Sequence, residues 1–284
     1  MPSVTLRSGT IHYEKTGPGD GRPVVFVHGY MMGASLWRPL ADRLGVKGLS
    51  CIAPTWPLGA HPEPMRQHAD LTMEGIAAII GDLLDALELG DAVLVGNDTG
   101  GAISQIVAVT RPERVGALVL TSCDAFEHFP PPILKPFIAA AKLGPAFDAA
   151  AQPLRTRIGR KQAFGALAHA DIDAIVREWI EPPLTDRRIR NDLRRFTASM
   201  KQQSTLEAAK RLPGFTKPAL IAWSADDAFF PLEDGRRLAE TLPNARLEVI
   251  EQARTFSMID QPDRLAELIG EFAGVGAAER VAQR

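Results

Sequence analysis

The sequence predicts an α/β fold, a mostly parallel eight-stranded sheet flanked by helices, with a helical segment inserted late in the chain. Three observations predict it. Apolar runs alternate with helix-period segments from Val24 to Thr121 and resume from Pro218 to Ile250, the pattern of parallel strands joined by crossover helices. The run Ala92–Val95 passes through a glycine-rich turn directly into a helix period. Residues 122–132 break the alternation, and from there to about 212 the chain is amphipathic and helical without a strand run, too long for a plain connection.

Composition bounds the rest. The chain has 284 residues, 45% of them hydrophobic, enough to bury a large core. Its formal net charge is −2, without the basic stripe of a nucleic-acid binder or the polybasic run of a membrane-surface protein. Its apolar runs are too short to span a bilayer. Met1-Pro2-Ser3-Val4-Thr5 lacks the charged and apolar regions of a secretory leader, so a cytoplasmic location is expected. Cys51 and Cys123 have no motif spacing and read as reduced core residues. No His, Cys and carboxylate cluster has zinc spacing, so neither metal nor cofactor is expected. The expected partner is a small-molecule substrate, and a monomer and a homodimer both stay open.

In chain order, residues 4–7 and 11–16 read as a hairpin turning at Ser8-Gly9. Val24–Val27 is a continuous β-branched and aromatic run, the mark of a strand buried on both faces. It ends in His28-Gly29-Tyr30. Residues 35–44 predict a helix capped by Ser35. Leu49–Ala53 is a strand, and the prolines from Pro54 to Pro62 make the next segment a loop, with His61 and His68 expected at the surface. Leu71–Leu89 is a helix capped by Thr72 and ended by Gly90. Arg111-Pro112 ends the helix after the glycine turn, and Val115–Thr121 is a further buried strand.

The inserted segment, 125–212, is expected to form a helical cap over a core made of 1–124 and 213–284. Gly144-Pro145, Pro153 and Pro182-Pro183 predict its breaks. Phe126, Phe129, Phe137, Phe147, Phe164, Trp179 and Phe196 supply its apolar surface. Arg187, Arg188, Arg190, Arg194 and Arg195 with Asp186 and Asp192 read as a solvated face. Beyond it, Pro218–Trp223 is a strand, 233–242 a helix and Arg246–Ile250 the last strand.

The chemistry centres on Gly96-Asn97-Asp98-Thr99-Gly100-Gly101. The spacing Gly96-x-Asp98-x-Gly100 between strand and helix has the form of a nucleophile elbow, in which one side chain is held on a sharp turn beside the N–H groups of a helix start. Here that side chain is a carboxylate. The segment resembles the α/β-hydrolase superfamily, in particular its Asp-nucleophile branch of haloalkane dehalogenases and epoxide hydrolases. The resemblance implies Asp98 as nucleophile and an oxyanion hole from the backbone N–H groups of Tyr30 and Thr99. His28 reads as structural within the His-Gly segment. Ser224-Ala225-Asp226-Asp227 through Pro231 resembles the superfamily's acid-bearing segment. That makes Asp227 the supporting acid, with Asp124 as the second candidate.

The family's catalytic His should follow the last strand. The position is Thr255, 28 residues after Asp227, before Phe256 and Asp260-Gln261-Pro262, and no His follows His169. A Thr hydroxyl cannot accept a proton near neutral pH, and losing a positioned base typically costs on the order of 10²–10⁴ in rate. The chain is then a natural variant, an engineered ester trap, or a protein with its base elsewhere, for which His128 is the candidate. Together with the elbow and Pro57-Leu58-Gly59-Ala60-His61, Thr255-Phe256 looks like a bacterial subgroup known mainly as α/β-fold hydrolases, which favours the natural variant. Asn97, His28, Trp179 and His128 complete the candidate substrate-site residues.

Departures from named subfamilies narrow the reaction. Only Tyr13 and Tyr30 are present, neither in the inserted segment, so the cap tyrosines of epoxide hydrolases are missing. Thr99 stands where haloalkane dehalogenases usually have a halide-binding Trp, and Ala102 where fluoroacetate dehalogenases have Arg. The expected function is hydrolysis of a small, largely apolar molecule through Asp98. The alternatives are a lyase or isomerase in which Asp98 moves protons, and a degenerate binding protein.

Overall fold

The computed structural model describes residues 1–274. Eight strands form one sheet: β1 (Ser3–Thr5), β2 (Thr10–Thr16), β3 (Pro23–Val27), β4 (Ser50–Pro54), β5 (Ala92–Asp98), β6 (Val115–Cys123), β7 (Ala219–Ser224) and β8 (Ala245–Ile250). Their spatial order is β1-β2-β4-β3-β5-β6-β7-β8. The pairs β1/β2 and β2/β4 are antiparallel, and every other pair is parallel. Strands β4, β6 and β7 are buried at every residue, which is why their sequences read as unbroken apolar runs rather than alternations.

The order places the site. The chain passes from β3 to β4 on one side, then returns to lay β5 on the other side of β3. That reversal is a topological switch point, where ligands bind beyond the carboxyl ends of the strands. Tyr30 lies just past the end of β3 and Asp98 closes β5.

The helices are α1 (Arg38–Val46), α2 (Met73–Ala86) and α3 (Thr99–Thr110) among the first strands. Next come α4 (Lys135–Ala141), α5 (Gly144–Ala151), α6 (Arg157–Phe164), α7 (Asp173–Thr185), α8 (Arg187–Ser199) and α9 (Gln202–Arg211) between β6 and β7. The chain continues with α10 (Leu232–Thr241), α11 (Ser257–Asp260) and α12 (Pro262–Phe272). No strand lies between β6 and β7, as the sequence predicts. Gly144-Pro145 opens α5, Pro145 falling where a missing N–H costs nothing.

Several local expectations are corrected. Ser35 caps nothing; a short 3₁₀ turn, Ala34–Trp37, precedes α1, and the Ser35 hydroxyl instead accepts the Trp179 indole N–H at 2.8 Å. Thr72 does cap α2, accepting the Gly75 N–H at 3.1 Å, but the helix stops at Ala86, before Gly90. Pro182-Pro183 lie inside α7, which runs on to Thr185. They occupy its last turn, where few later residues depend on the interrupted ladder. His61 is buried, not at the surface. Its Nε2 lies 3.5 Å from Asp192 Oδ2, which also accepts the Met65 N–H at 2.8 Å. Asp192 is therefore core rather than solvated face. Likewise Arg190 reaches Asp148 at 2.8 Å and Arg194 the Ala141 carbonyl at 3.0 Å.

The inserted helices pack through aromatics. Trp179, Phe147 and Phe196 are fully buried, Trp179 meeting the Phe256 ring edge-on at 6.0 Å. The Tyr30 hydroxyl and Thr197 Oγ1 share a 2.7 Å hydrogen bond, tying α8 to the loop after β3.

Candidate active site

Asp98 is both the last residue of β5 and the residue preceding α3. Its backbone has φ 54° and ψ −136°, a conformation costly for a residue with a Cβ, and such strain collects at functional sites. The strain is held by close packing below the turn. A Cβ on Gly100 would stand 2.3 Å from the Val27 carbonyl oxygen, so only glycine lets α3 start against β3.

The turn presents the carboxylate to two converging N–H groups. Asp98 Oδ1 accepts from Thr99 N at 2.6 Å and from Tyr30 N at 3.0 Å. Asp98 also lines an apolar cavity of about 160 Å³, together with Thr99, Asp124 and Tyr30 and side chains such as Met32, Phe137, Leu154, Phe164 and Phe230. A dry cavity of ~150 Å³ holds a benzene-sized molecule. Both the sheet-end loops and the inserted segment, from Pro131 to Leu167, contribute walls.

The pattern of the alpha/beta hydrolase fold family matches residues 22–262. The chain belongs to the alpha/beta hydrolase family. It is similar to a 2-hydroxy-6-oxononadienedioate/2-hydroxy-6-oxononatrienedioate hydrolase of Burkholderia vietnamiensis, 28% identical over 274 residues, 92% of this chain and 90% of that one. It is also similar to haloalkane dehalogenase 2 of Mycobacterium bovis, 28% identical over 278 residues, 94% and 92% of the two chains. Among solved structures, a haloalkane dehalogenase from Bradyrhizobium elkani aligns with TM-score 0.78 at 18% identity, over 97% of each chain. A thermophilic esterase from Thermogutta terrifontis aligns with TM-score 0.76 at 21% identity, over 95% of this chain and 97% of that one.

In this alpha/beta hydrolase the site's electrostatics are set by burial. Burial pushes the Asp98 carboxyl up to about 6, against the pull of the Thr99 and Tyr30 N–H groups. Asp124, 2% exposed, is pushed well above the carboxylate range, by burial first and by the Asp98 charge second. Thr99 sits between them, its hydroxyl donating to Asp124 Oδ2 at 2.9 Å.

Asp227 lies behind the wall. Its Oδ1 accepts the Phe229 and Phe230 N–H groups at 2.8 and 3.0 Å, and burial raises its pKa. The Thr255 and Ser122 hydroxyls face it and pull its pKa down, yet Asp227 Oδ2 and Thr255 Oγ1 are buried without a well-formed hydrogen bond. The Thr255 carbonyl accepts from Asn97 Nδ2 at 2.9 Å, so Asn97 ties β5 to the loop after β8 and does not face the cavity.

The remaining candidates fall elsewhere. His28 is buried, its Nε2 accepting the Trp56 N–H at 2.8 Å and its Nδ1–H donating to the Gly29 carbonyl at 3.0 Å. Burial pushes it down to about 4, so it is neutral and positions the Gly29-Tyr30 loop. Trp179 belongs to the packing under the inserted helices. His128 is half-exposed, with Nδ1 2.7 Å from Asp234 Oδ2, outside the cavity wall. Among the described residues, no His, Lys or Arg lines the cavity. The sequence reading missed the Met31-Met32 and Phe229-Phe230 walls. Apolar wall residues give the same signal as apolar core, so only proximity to the His-Gly and Asp227 segments hinted at them.

Proposed function

We propose that the protein attacks a small, neutral, largely apolar organic electrophile with the Asp98 carboxylate, forming an alkyl ester on the protein, as in dehalogenase-like hydrolysis. One observation carries the reading. Asp98 Oδ1 is held by the Tyr30 and Thr99 N–H groups, and Asp98 lines an apolar cavity. The free oxygen is the attacking atom. The held oxygen becomes the ester carbonyl and then the oxyanion of hydrolysis, already between two donors. Residues 125–212 act as the cap that closes the cavity from water.

The cavity wall also limits the substrate's charge. The dioate named for the Burkholderia relative carries two carboxylates. Here two carboxylates line the cavity with no cation, so an anionic substrate would be repelled. An uncharged alkyl halide of a few heavy atoms fits the volume and the polarity. Asp227 is the buried acid behind the site, and Thr255 stands where the family's imidazole would relay a proton, so hydrolysis of the ester is slow or unconventional.

A second reading rests on the pKa of Asp98, about 6, which suits a general acid or base near neutral pH. In it Asp98 moves a proton for a lyase or isomerase reaction and forms no bond to carbon.

Intact-mass spectrometry after exposure to short primary alkyl bromides, with peptide mapping, separates the two. An alkyl adduct on Asp98, absent from Asp98→Asn, supports the nucleophile. Turnover with no adduct under rapid quench supports proton transfer.

A further inference from the structure

We propose that Asp124, held by Thr99, is the base that takes the proton from the water cleaving the Asp98 ester. The inference rests on the nucleophile reading above and deepens it, because it assigns the step that the missing imidazole leaves open.

Three contacts bring Asp124 to the reacting atoms. It lines the same cavity as Asp98. Thr99 holds both carboxylates, its N–H on Asp98 Oδ1 at 2.6 Å and its hydroxyl on Asp124 Oδ2 at 2.9 Å. The Asp124 backbone is fixed on both sides, its N–H donating to the Asp98 carbonyl at 3.3 Å and its carbonyl accepting Gln105 Nε2 at 3.0 Å. Asp124 Oδ1 is buried and has no hydrogen-bond partner among the described residues, so an acceptor position stands unfilled on a residue of the cavity wall. Asp227 offers no such atom to the cavity: it lies behind the wall, with its Oδ1 bound to loop N–H groups.

The charges around Asp124 make the base conditional on the first step. Asp98 faces it from the β5–α3 turn, Asp234 from α10 with His128 bound to it, and Cys123 precedes it in β6. In the free protein burial and the Asp98 charge favour the protonated form of Asp124, two carboxylates sharing one proton. Alkylation removes the Asp98 charge. The carbon–halogen bond breaks, halide leaves with its electron pair, and Asp98 Oδ2 is bonded to carbon. Asp124 keeps the upward push of burial but loses that repulsion, so it releases its proton to solvent as pH rises. Water then adds to the ester carbonyl carbon, its proton passing to Asp124 and the negative charge to Oδ1. Collapse breaks the acyl–oxygen bond, and the Asp124 proton goes to the departing alcohol. Alkyl halide and water become alcohol, halide and one proton.

The test is a single-turnover time course with 1-bromobutane, read by intact mass, on the wild-type protein, Asp124→Asn, Asp124→Glu and Thr99→Val. All four load the adduct. The wild type clears it with a rate that rises with pH through one ionisation. Asp124→Asn clears it 10²–10⁴-fold more slowly and without that pH dependence. Asp124→Glu recovers part of the rate. If Asp124→Asn does not fold, Thr99→Val carries the test, since it keeps the carboxylate but removes its donor, and it slows clearance by a larger factor than it slows loading. Clearance by Asp124→Asn, or by Thr99→Val in its place, at the wild-type rate overturns the proposal and leaves the nucleophile standing. Absence of any adduct in the wild type overturns both.

Discussion

A Cβ placed on Gly29 would stand 2.0 Å from Asp98 Oδ1. The two residues are packed so tightly that the carboxylate's position depends on a hydrogen atom at residue 29. Gly29→Ala must push Asp98 off the Tyr30 and Thr99 N–H groups or open the loop after β3. We expect alkylation of Asp98 to slow by ~10²-fold or more, as for loss of an oxyanion donor, with circular dichroism unchanged. Wild-type alkylation kinetics in Gly29→Ala would contradict this role for the loop.

The raised pKa of Asp98 has a stability consequence with a definite sign. Its folded value, about 6, lies above the ordinary 3.8, so folding favours the protonated form. The ionised carboxylate therefore costs stability as pH rises from about 4 through 6, and costs nothing extra at lower pH. Asp98→Asn should be more stable than wild type at pH 8, by on the order of 1–3 kcal/mol, and equal to it near pH 3.5. Urea titrations of both proteins across that range check it. A constant difference at all pH values would show that Asp98 is not held in a desolvated site.

Trp179 makes a structural contact outside the cavity. Trp179→Phe keeps the edge-on contact with Phe256 but leaves the Ser35 hydroxyl without its donor. The expected cost is about 1 kcal/mol, with the rate of adduct formation unchanged below the melting transition. A large drop in alkylation without loss of stability would move Trp179 into the site.

Thr255→His puts an imidazole beside Asp227, whose Oδ2 is buried without a well-formed partner. Thr255 is fully enclosed, so the larger ring should lower stability by about 1–3 kcal/mol through overpacking. Ester clearance should nevertheless rise, by up to about 10²-fold or more. Measured clearance that does not rise in the folded variant would mean that residue 255 is not the imidazole station.

The sequence showed the sheet clearly because its central strands are buried on both faces, so that Val24–Val27 and Val115–Thr121 admit no other reading. The elbow was legible for the same kind of reason: Gly96 and Gly100 are steric requirements of one turn, and a sequence records such requirements directly. The errors came where tertiary contacts override local signals. Ser35 has the chemistry of a helix cap, but Trp179 arrives from far along the chain to claim its hydroxyl. His61 sits among prolines and reads as loop surface, yet Asp192 from α8 meets it in the interior. Pro182-Pro183 signal a break that a final helical turn tolerates. In the site, Asp124 and Asp227 are both carboxylates after strands, and the resemblance of the Ser224–Pro231 segment puts Asp227 first and Asp124 second. Only the three-dimensional placement separates the one in the cavity wall from the one behind it.

The oxygen of the first turnover tests the covalent role of Asp98 most directly. The measurement is a single turnover of 1-bromobutane with excess protein in water enriched in oxygen-18, analysing both the butanol and the Asp98 peptide. If the carboxylate attacks carbon, the butanol carries oxygen-16 taken from Asp98, and the Asp98 side chain gains one oxygen-18. Butanol carrying oxygen-18 from the first turnover, with Asp98 unlabelled, would mean that water attacks the substrate directly, and would contradict the account.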